Sequence, residues 1–239
     1  MNALTRCLET YWSSSIGKKL VVAVTGIVLV LFLAAHVIGN LVVFLGEEAF
    51  NEYAFFLHHM LHGAGIWVFR AVMIVMLVAH IAATIALTKQ NRAARKAYDC
   101  QATIQASKAS RTMIFSGLTI LAFVIYHLMH FTARVGGASG YKTLDRYKTV
   151  VDGKEAHNAY QMVIDGFSPH VWYVSLFYVI AVTMLFPHVS HGVGSLFQTL
   201  GFRSKRSAGL IKQVSVGYSV FVWAGFVSVP LAVFLGYGR

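Results

Sequence analysis

Five long apolar stretches decide what this chain can become. A helix needs about 20 consecutive apolar residues to cross the hydrocarbon core of a bilayer, and five windows qualify: residues 20–45, 66–88, 113–132, 171–196 and 214–237. Lipid offers no partner to a backbone N–H or C=O, so each stretch is expected as an α-helix. Composition agrees, with 57% hydrophobic and 12% charged residues where soluble domains carry about 25% charged. The expected fold is all-α: one integral membrane domain over residues 1–239 with five transmembrane helices. The first stretch is too long for a signal-peptide core and lacks a small-residue cleavage site behind it, so it is expected to be retained.

The net charge of +11 would suit a nucleic-acid binder, but the basic residues fall between apolar spans and form no periodic face with interleaved aromatics. Topology accounts for them. With the N-terminus inside, Arg6, Lys18 and Lys19, then the connection from Lys89 to Arg111, then Arg203, Lys205, Arg206 and Lys212 all share one side, opposed only by Glu9 and Asp99. On the other side Arg134, Lys142, Arg146, Lys148, Lys154 and Arg239 are balanced by seven carboxylates. The positive-inside rule therefore gives an N-in, C-out chain. Cys7 and Cys100 are the only cysteines, so neither a disulfide framework nor a Cys-x-x-Cys-His haem attachment is expected.

This topology leaves one long outer loop, residues 135–170. Within it the segment 152–164 reads as a capped amphipathic surface helix ending near Gly166, placed to cover the outer mouth of the bundle. The first outer loop carries Glu47, Glu48, Glu52, His58, His59 and His62, expected as solvated loop and short surface helix.

Histidine carries the functional signal. The chain has 11, and His36, His80, His127, His130, His188 and His191 fall within or at the ends of apolar spans. An ionisable side chain at membrane depth is costly and by default marks a site or a buried pair. Interhelical hydrogen bonding would explain any one of them, but depth groups them. His36 and His127 lie 17 and 16 residues beyond the inner basic residues Lys19 and Arg111, roughly 25 Å at 1.5 Å per residue. His80, on an inward-running helix, and His188, late in the other, share an inner level. Two levels of facing imidazoles are what two stacked haems need, and iron closed by two histidines suits electron transfer rather than oxygen chemistry. His130 and His191 follow candidate ligands by three residues on nearly the same face, so spacing does not choose within either couple.

Ser14-Ser-Ile-Gly-Lys-Lys19, Ala23-Val-Thr-Gly26 and His36-Val-Ile-Gly-Asn-Leu41 resemble the first helix of the succinate dehydrogenase/fumarate reductase cytochrome b subunit, di-haem type. Glu48-Ala-Phe-Asn51, His80, Tyr126-His127 and the run from His188 to Gly201, with Gly192 between, continue the resemblance in order along the chain. It implies a membrane anchor of five helices, four of them a bundle around two haem b groups, in a bacterial cytoplasmic membrane. His36 and His127 would ligate the outer haem iron, and His80 and His188 the inner one, with His191 left as a further cofactor-side residue. The implied partners are a flavoprotein subunit and an iron–sulfur subunit on the cytoplasmic side, membrane lipid, and a quinone such as menaquinone; complexes of this kind could pair into dimers.

Other residues take roles from this frame. Arg134, seven residues beyond His127, and Arg70, near the outer end of the second span, are candidate partners for haem propionates, with Arg134 the better placed; the alternative is snorkelling to the interface. Gly26 and Gly117 each precede an outer ligand by ten residues, where a missing side chain would admit a porphyrin edge or a neighbouring helix. Pro187 is expected to kink the helix beside His188. Glu47, Glu48 and Glu52 are the carboxylate candidates for quinone proton exchange. The basic inner connections would dock the iron–sulfur subunit or lipid headgroups. The competing readings are a di-haem cytochrome b serving another quinone-linked oxidoreductase, and a histidine-dependent membrane transporter.

Overall fold

The computed structural model describes residues 2–94, 108–135, 141–142 and 144–238. Arg95, Lys96, Asp99 and Cys100, on the connection expected to form an inner basic platform, lie outside the described residues. Among those described, five helices are long and apolar enough to cross a membrane.

The chain opens with a short helix that hydropathy did not suggest, α1 (Ala3–Ser13), started by Asn2, whose side chain accepts from Thr5 N–H. Ser14 separates it from α2 (Ser15–Leu41) and caps α2 by accepting from Gly17 N–H at 2.9 Å, so the helix begins five residues before its apolar window. Lys18 fastens this corner: its ammonium donates to Ser13 C=O at 3.0 Å and to the Gln90 side chain at 3.1 Å. A 3-10 turn at Val42–Leu45 and Gly46, at φ +102°, redirect the chain into the surface helix α3 (Glu47–His59). After the tight turn Met60–Gly63, α4 (Ala64–Ala93) runs back. α5 (Lys108–His127) widens at its end into a π-helical turn, Leu128–Ala133, and leaves it at Arg134 in the left-handed conformation. The last two long helices are α7 (Trp172–Thr199), with Pro187 inside it, and α8 (Ala208–Phe234); α6 belongs to the cap described next.

Between α5 and α7 the chain departs from the expected single helix. Residues 148–151 and 154–157 form an antiparallel hairpin, β1 and β2, with Val151 opposite Lys154. The two-residue loop Asp152-Gly153 has positive φ at both positions, 52° and 72°, the twist that matches paired strands. An Asp-Gly pair beside the β-branched run Thr149-Val150-Val151 therefore outweighs the helical period there. Helix α6 begins only at Ala159, capped by Asn158, and ends at Gly166 as expected.

α2, α4, α5 and α7 form the bundle: α2 packs on α4 and α7, and α5 on α7. α8 buttresses it from outside against α7 and α2, where Gly225 receives Val37 and Tyr218 donates to Val30 C=O. Close approach through small residues is how membrane helices gain contact without a hydrophobic driving force. At the hairpin end α6 closes the bundle, burying Tyr160, Val163 and Ile164 against Val43, Val174, Tyr178 and Val233. Asn51 of α3, 3% exposed, ties the cap together by donating to Asn158 Oδ1 and accepting from Tyr160 N–H, both at 3.0 Å.

Candidate functional site

The four bundle helices, with residues of α3, α6 and α8, line an open cavity of about 2200 Å³, more than twice the roughly 300–1,000 Å³ of a usual small-ligand pocket. His36, His80, His127, His188 and His191 line it. Cations stand at both ends: Lys19, Lys89 and Arg92 at the α1 end, and Arg70 at the hairpin end.

At the α1 end, α2 and α5 present the same device. Thr25 Oγ1 donates to Val21 C=O at 2.7 Å and Ser116 Oγ donates to Met113 C=O at 3.1 Å. A hydroxyl has one proton, so each oxygen faces its remaining neighbour as an acceptor. Those neighbours are His80 Nδ1 and His188 Nδ1, both at 3.1 Å. With the hydroxyl protons on the backbone carbonyls, both imidazoles would carry their proton on Nδ1 and keep the Nε2 lone pair free, the arrangement by which an outer partner fixes the tautomer of a metal-binding histidine. The next residue on each helix is a glycine. A Cβ at Gly26 would meet only His80 Cε1, at 3.7 Å, and one at Gly117 only His188 Cε1, at 3.6 Å. No neighbouring backbone packs into either gap; both glycines face the cavity.

Eleven residues on, three helical turns and about 16 Å, the same two helices carry His36 and His127. Their ring centroids are 5.8 Å apart with the planes at 81°. Were each ring to give one nitrogen to a shared metal ion at about 2 Å, the centroids would stand at about this separation. Phe32 stacks on His36 at 5.1 Å, and Phe226 reaches it from α8 at 5.5 Å.

The histidine couples left open by spacing are treated differently by the fold. His130 is 5% exposed and does not line the cavity. Its Nδ1 is 3.1 Å from the Tyr178 hydroxyl and its Nε2 3.4 Å from that of Tyr141, so both nitrogens are engaged away from the cavity. The π-helical turn places it there, because a wider turn moves a side chain three residues on to a different face. His188 has Ser116 as its anchor while His191 also lines the wall.

Arg70 lines the cavity and stacks over Trp67 at 5.0 Å. Arg134, the better placed by spacing, does not line it: the π turn breaks the seven-residue return to the face of His127, and the left-handed Arg134 backbone turns the chain away. Arg134 remains close enough to feel Arg70; burial first, then that charge, pull its guanidinium below the usual arginine range. Glu47, Glu48 and Glu52 lie in a shallow recess with Asp152 of the hairpin turn, not on the cavity wall, and Glu47 accepts from the Asn158 side chain at 2.7 Å.

Thr25, Ser116 and Tyr178 are site residues that spacing of histidines alone did not pick out. A signal existed: on both helices a hydroxyl residue directly precedes the glycine and stands eleven residues before a histidine. No family model, curated protein or solved structure matches the chain, so the residues and their geometry carry the reading of the site.

Proposed function

We propose that the chain is the membrane-anchor cytochrome b of a succinate:quinone oxidoreductase, holding two haem b groups one above the other. The observation that carries this is the pair of histidine levels in one cavity, with two facing imidazoles in contact at the hairpin end and two hydroxyl-anchored imidazoles at the other. The residues suit the group: Nε2 is left free on His80 and His188, glycines keep the wall open beside them, and cations at both ends offer partners for propionate carboxylates. When bound, haem supplies one-electron transfer, with a potential set by its ligands and surroundings.

The protein's own part is to hold and to insulate. His36 with His127, and His80 with His188, would fix the two groups about three helical turns apart. The wall is mostly apolar, and Lys19, Lys89 and Arg92 would balance carboxylates at the cytoplasmic end in the N-in topology. In this reading a flavoprotein and an iron–sulfur subunit dock on the cytoplasmic side, and a membrane quinone of the menaquinone kind exchanges electrons with the chain in a bacterial cytoplasmic membrane. The ordered resemblance along the first four long helices favours this partner set over other quinone-linked oxidoreductases.

The test is a pyridine haemochrome assay with reduced-minus-oxidised spectra on the complex purified from haem-replete cells. Two haem b groups per chain, co-purifying with flavin and iron–sulfur subunits, are expected. His188→Ala should remove one of them and His191→Ala neither. Absence of haem from the wild-type protein would overturn the proposal.

A further inference from the structure

From His127 on the cavity wall at the hairpin end runs a hydrogen-bonded chain of groups that holding two haems does not require. His127 Nδ1 is 3.3 Å from the Tyr178 hydroxyl, which is 3.1 Å from His130 Nδ1. His130 Nε2 is 3.4 Å from the Tyr141 hydroxyl, which donates to Met162 C=O at 3.2 Å. Phe131 and Phe167 pack around His130, with ring centroids at 4.1 and 6.3 Å, and no buried side-chain nitrogen or oxygen among the described residues lacks a partner.

The last member fixes the direction of every bond. A carbonyl only accepts, so Tyr141 gives its single proton to Met162 and its oxygen accepts from His130 Nε2–H. Burial holds the Tyr141 phenol above its usual range, which keeps it a donor. A neutral His130 with its proton on Nε2 has a bare Nδ1, which accepts the Tyr178 proton. The Tyr178 oxygen then accepts from His127 Nδ1–H. His127 is thereby locked in the tautomer whose Nε2 lone pair is free, by four bonds of one polarity ending at a backbone carbonyl.

We infer that Tyr178 and His130 are positioning residues for His127, and that through its Nδ1–H they set the affinity of the hairpin-end iron for its electron. The inference rests on the di-haem reading. An acceptor at the far nitrogen orients an imidazole and raises its basicity as a ligand, and bonds in a chain polarise one another. A more basic ligand stabilises the oxidised iron, so the relay holds this haem at a lower potential than it would otherwise have. His36, the facing imidazole, is bordered by Phe32 and Phe226, so the relay acts on this iron from one side.

The test is a redox titration of the two haems in the intact complex, followed spectroscopically. In Tyr178→Phe the relay oxygen is gone while the ring stays. One haem should shift upward in potential, its oxidised-over-reduced preference falling about tenfold, which is 59 mV for a one-electron couple, and the other should stay in place. His130→Leu, which leaves Tyr178 without its acceptor, should move the same haem in the same direction by less. His130→Gln, able to accept from Tyr178 and donate to Tyr141, should restore the wild-type value. If Tyr178→Phe does not assemble, the Leu and Gln variants of His130 carry the test alone. Two bound haems with unchanged potentials, or both shifted equally, would overturn the relay while leaving the di-haem reading intact; a wild-type complex without haem would overturn both.

Discussion

Replacing Gly26 and Gly117 separates a porphyrin cradle from ordinary helix packing. A methyl at either position would sit 3.7 or 3.6 Å from an imidazole carbon and meet nothing else within 4 Å, so alanine is sterically free in the protein itself. It should also favour the helix by about 1 kcal/mol. Leucine adds three further carbons directed into the cavity beside His80 or His188. If that space is filled by a flat macrocycle, overpacking costs about 1–3 kcal/mol, roughly five- to 150-fold in affinity for the group. Gly26→Leu and Gly117→Leu should therefore lose most of one haem while retaining the other, and each alanine variant should keep far more of that haem than its leucine counterpart. Haem per polypeptide is read by pyridine haemochrome, and helical content by circular dichroism on the same samples. Two full haems in both leucine variants would refute the cradle. Loss of helical structure in the alanine variants would return the glycines to a packing role.

Two further outcomes concern the cap. Asn51→Leu leaves Tyr160 N–H without its buried acceptor and should destabilise the α3–α6 contact by about 2 kcal/mol, measured as earlier thermal release of the hairpin to a protease; an unchanged profile would show that the Asn51–Asn158 pair holds nothing. His157 on β2 is kept below its ordinary value of 6.5 by burial and then by the charge of Arg134. The unfolded chain therefore binds that proton more readily, and the stabilisation is full above about pH 6.5 and is lost as pH falls through the depressed value. Hydrogen exchange at Thr149 and Ala156, paired across the hairpin, should show declining protection on acidification below pH 6.5 in the wild type and a smaller decline in His157→Gln; equal declines would exclude His157 as the source.

Hydropathy made the five spans legible because lipid leaves a backbone little choice, and depth from the flanking charges brought His36 level with His127 before any coordinates. What it could not register was local geometry. Asp152-Gly153 sits inside an amphipathic helical period, yet two adjacent positive-φ positions favour a hairpin turn over a helix. The π turn after His127 has no hydropathy signature; it moves His130 behind the wall and takes Arg134 off the face it would share with His127 in a regular helix. Arg70 is the arginine on the cavity wall at the hairpin end. α1 escaped notice because a short polar helix is set by its cap at Asn2 and by packing on α2, neither of which a 20-residue window records.

The two halves of the bundle are built alike. α2 offers Thr25, Gly26 and His36, and α5 offers Ser116, Gly117 and His127, at identical spacings; each hydroxyl anchors a histidine on a second helix, α4 in one half and α7 in the other. Such duplication gives two equivalent anchors at the α1 end, and a centre held there meets matching groups on both faces. At the hairpin end the equivalence stops, because Tyr178 and His130 attach to His127 while aromatic carbon flanks His36. An electron moving between two centres with like ligands needs some difference in environment to give it a direction. On the di-haem reading that difference would lie on one imidazole of one level, through the π turn that brings His130 to Tyr178. Straightening that turn by deleting one residue from Leu128–Ala133 would return His130 toward the face of His127, and by this argument the hairpin-end centre would rise in potential, away from the centre whose two imidazoles keep their hydroxyl anchors, without either losing a ligand.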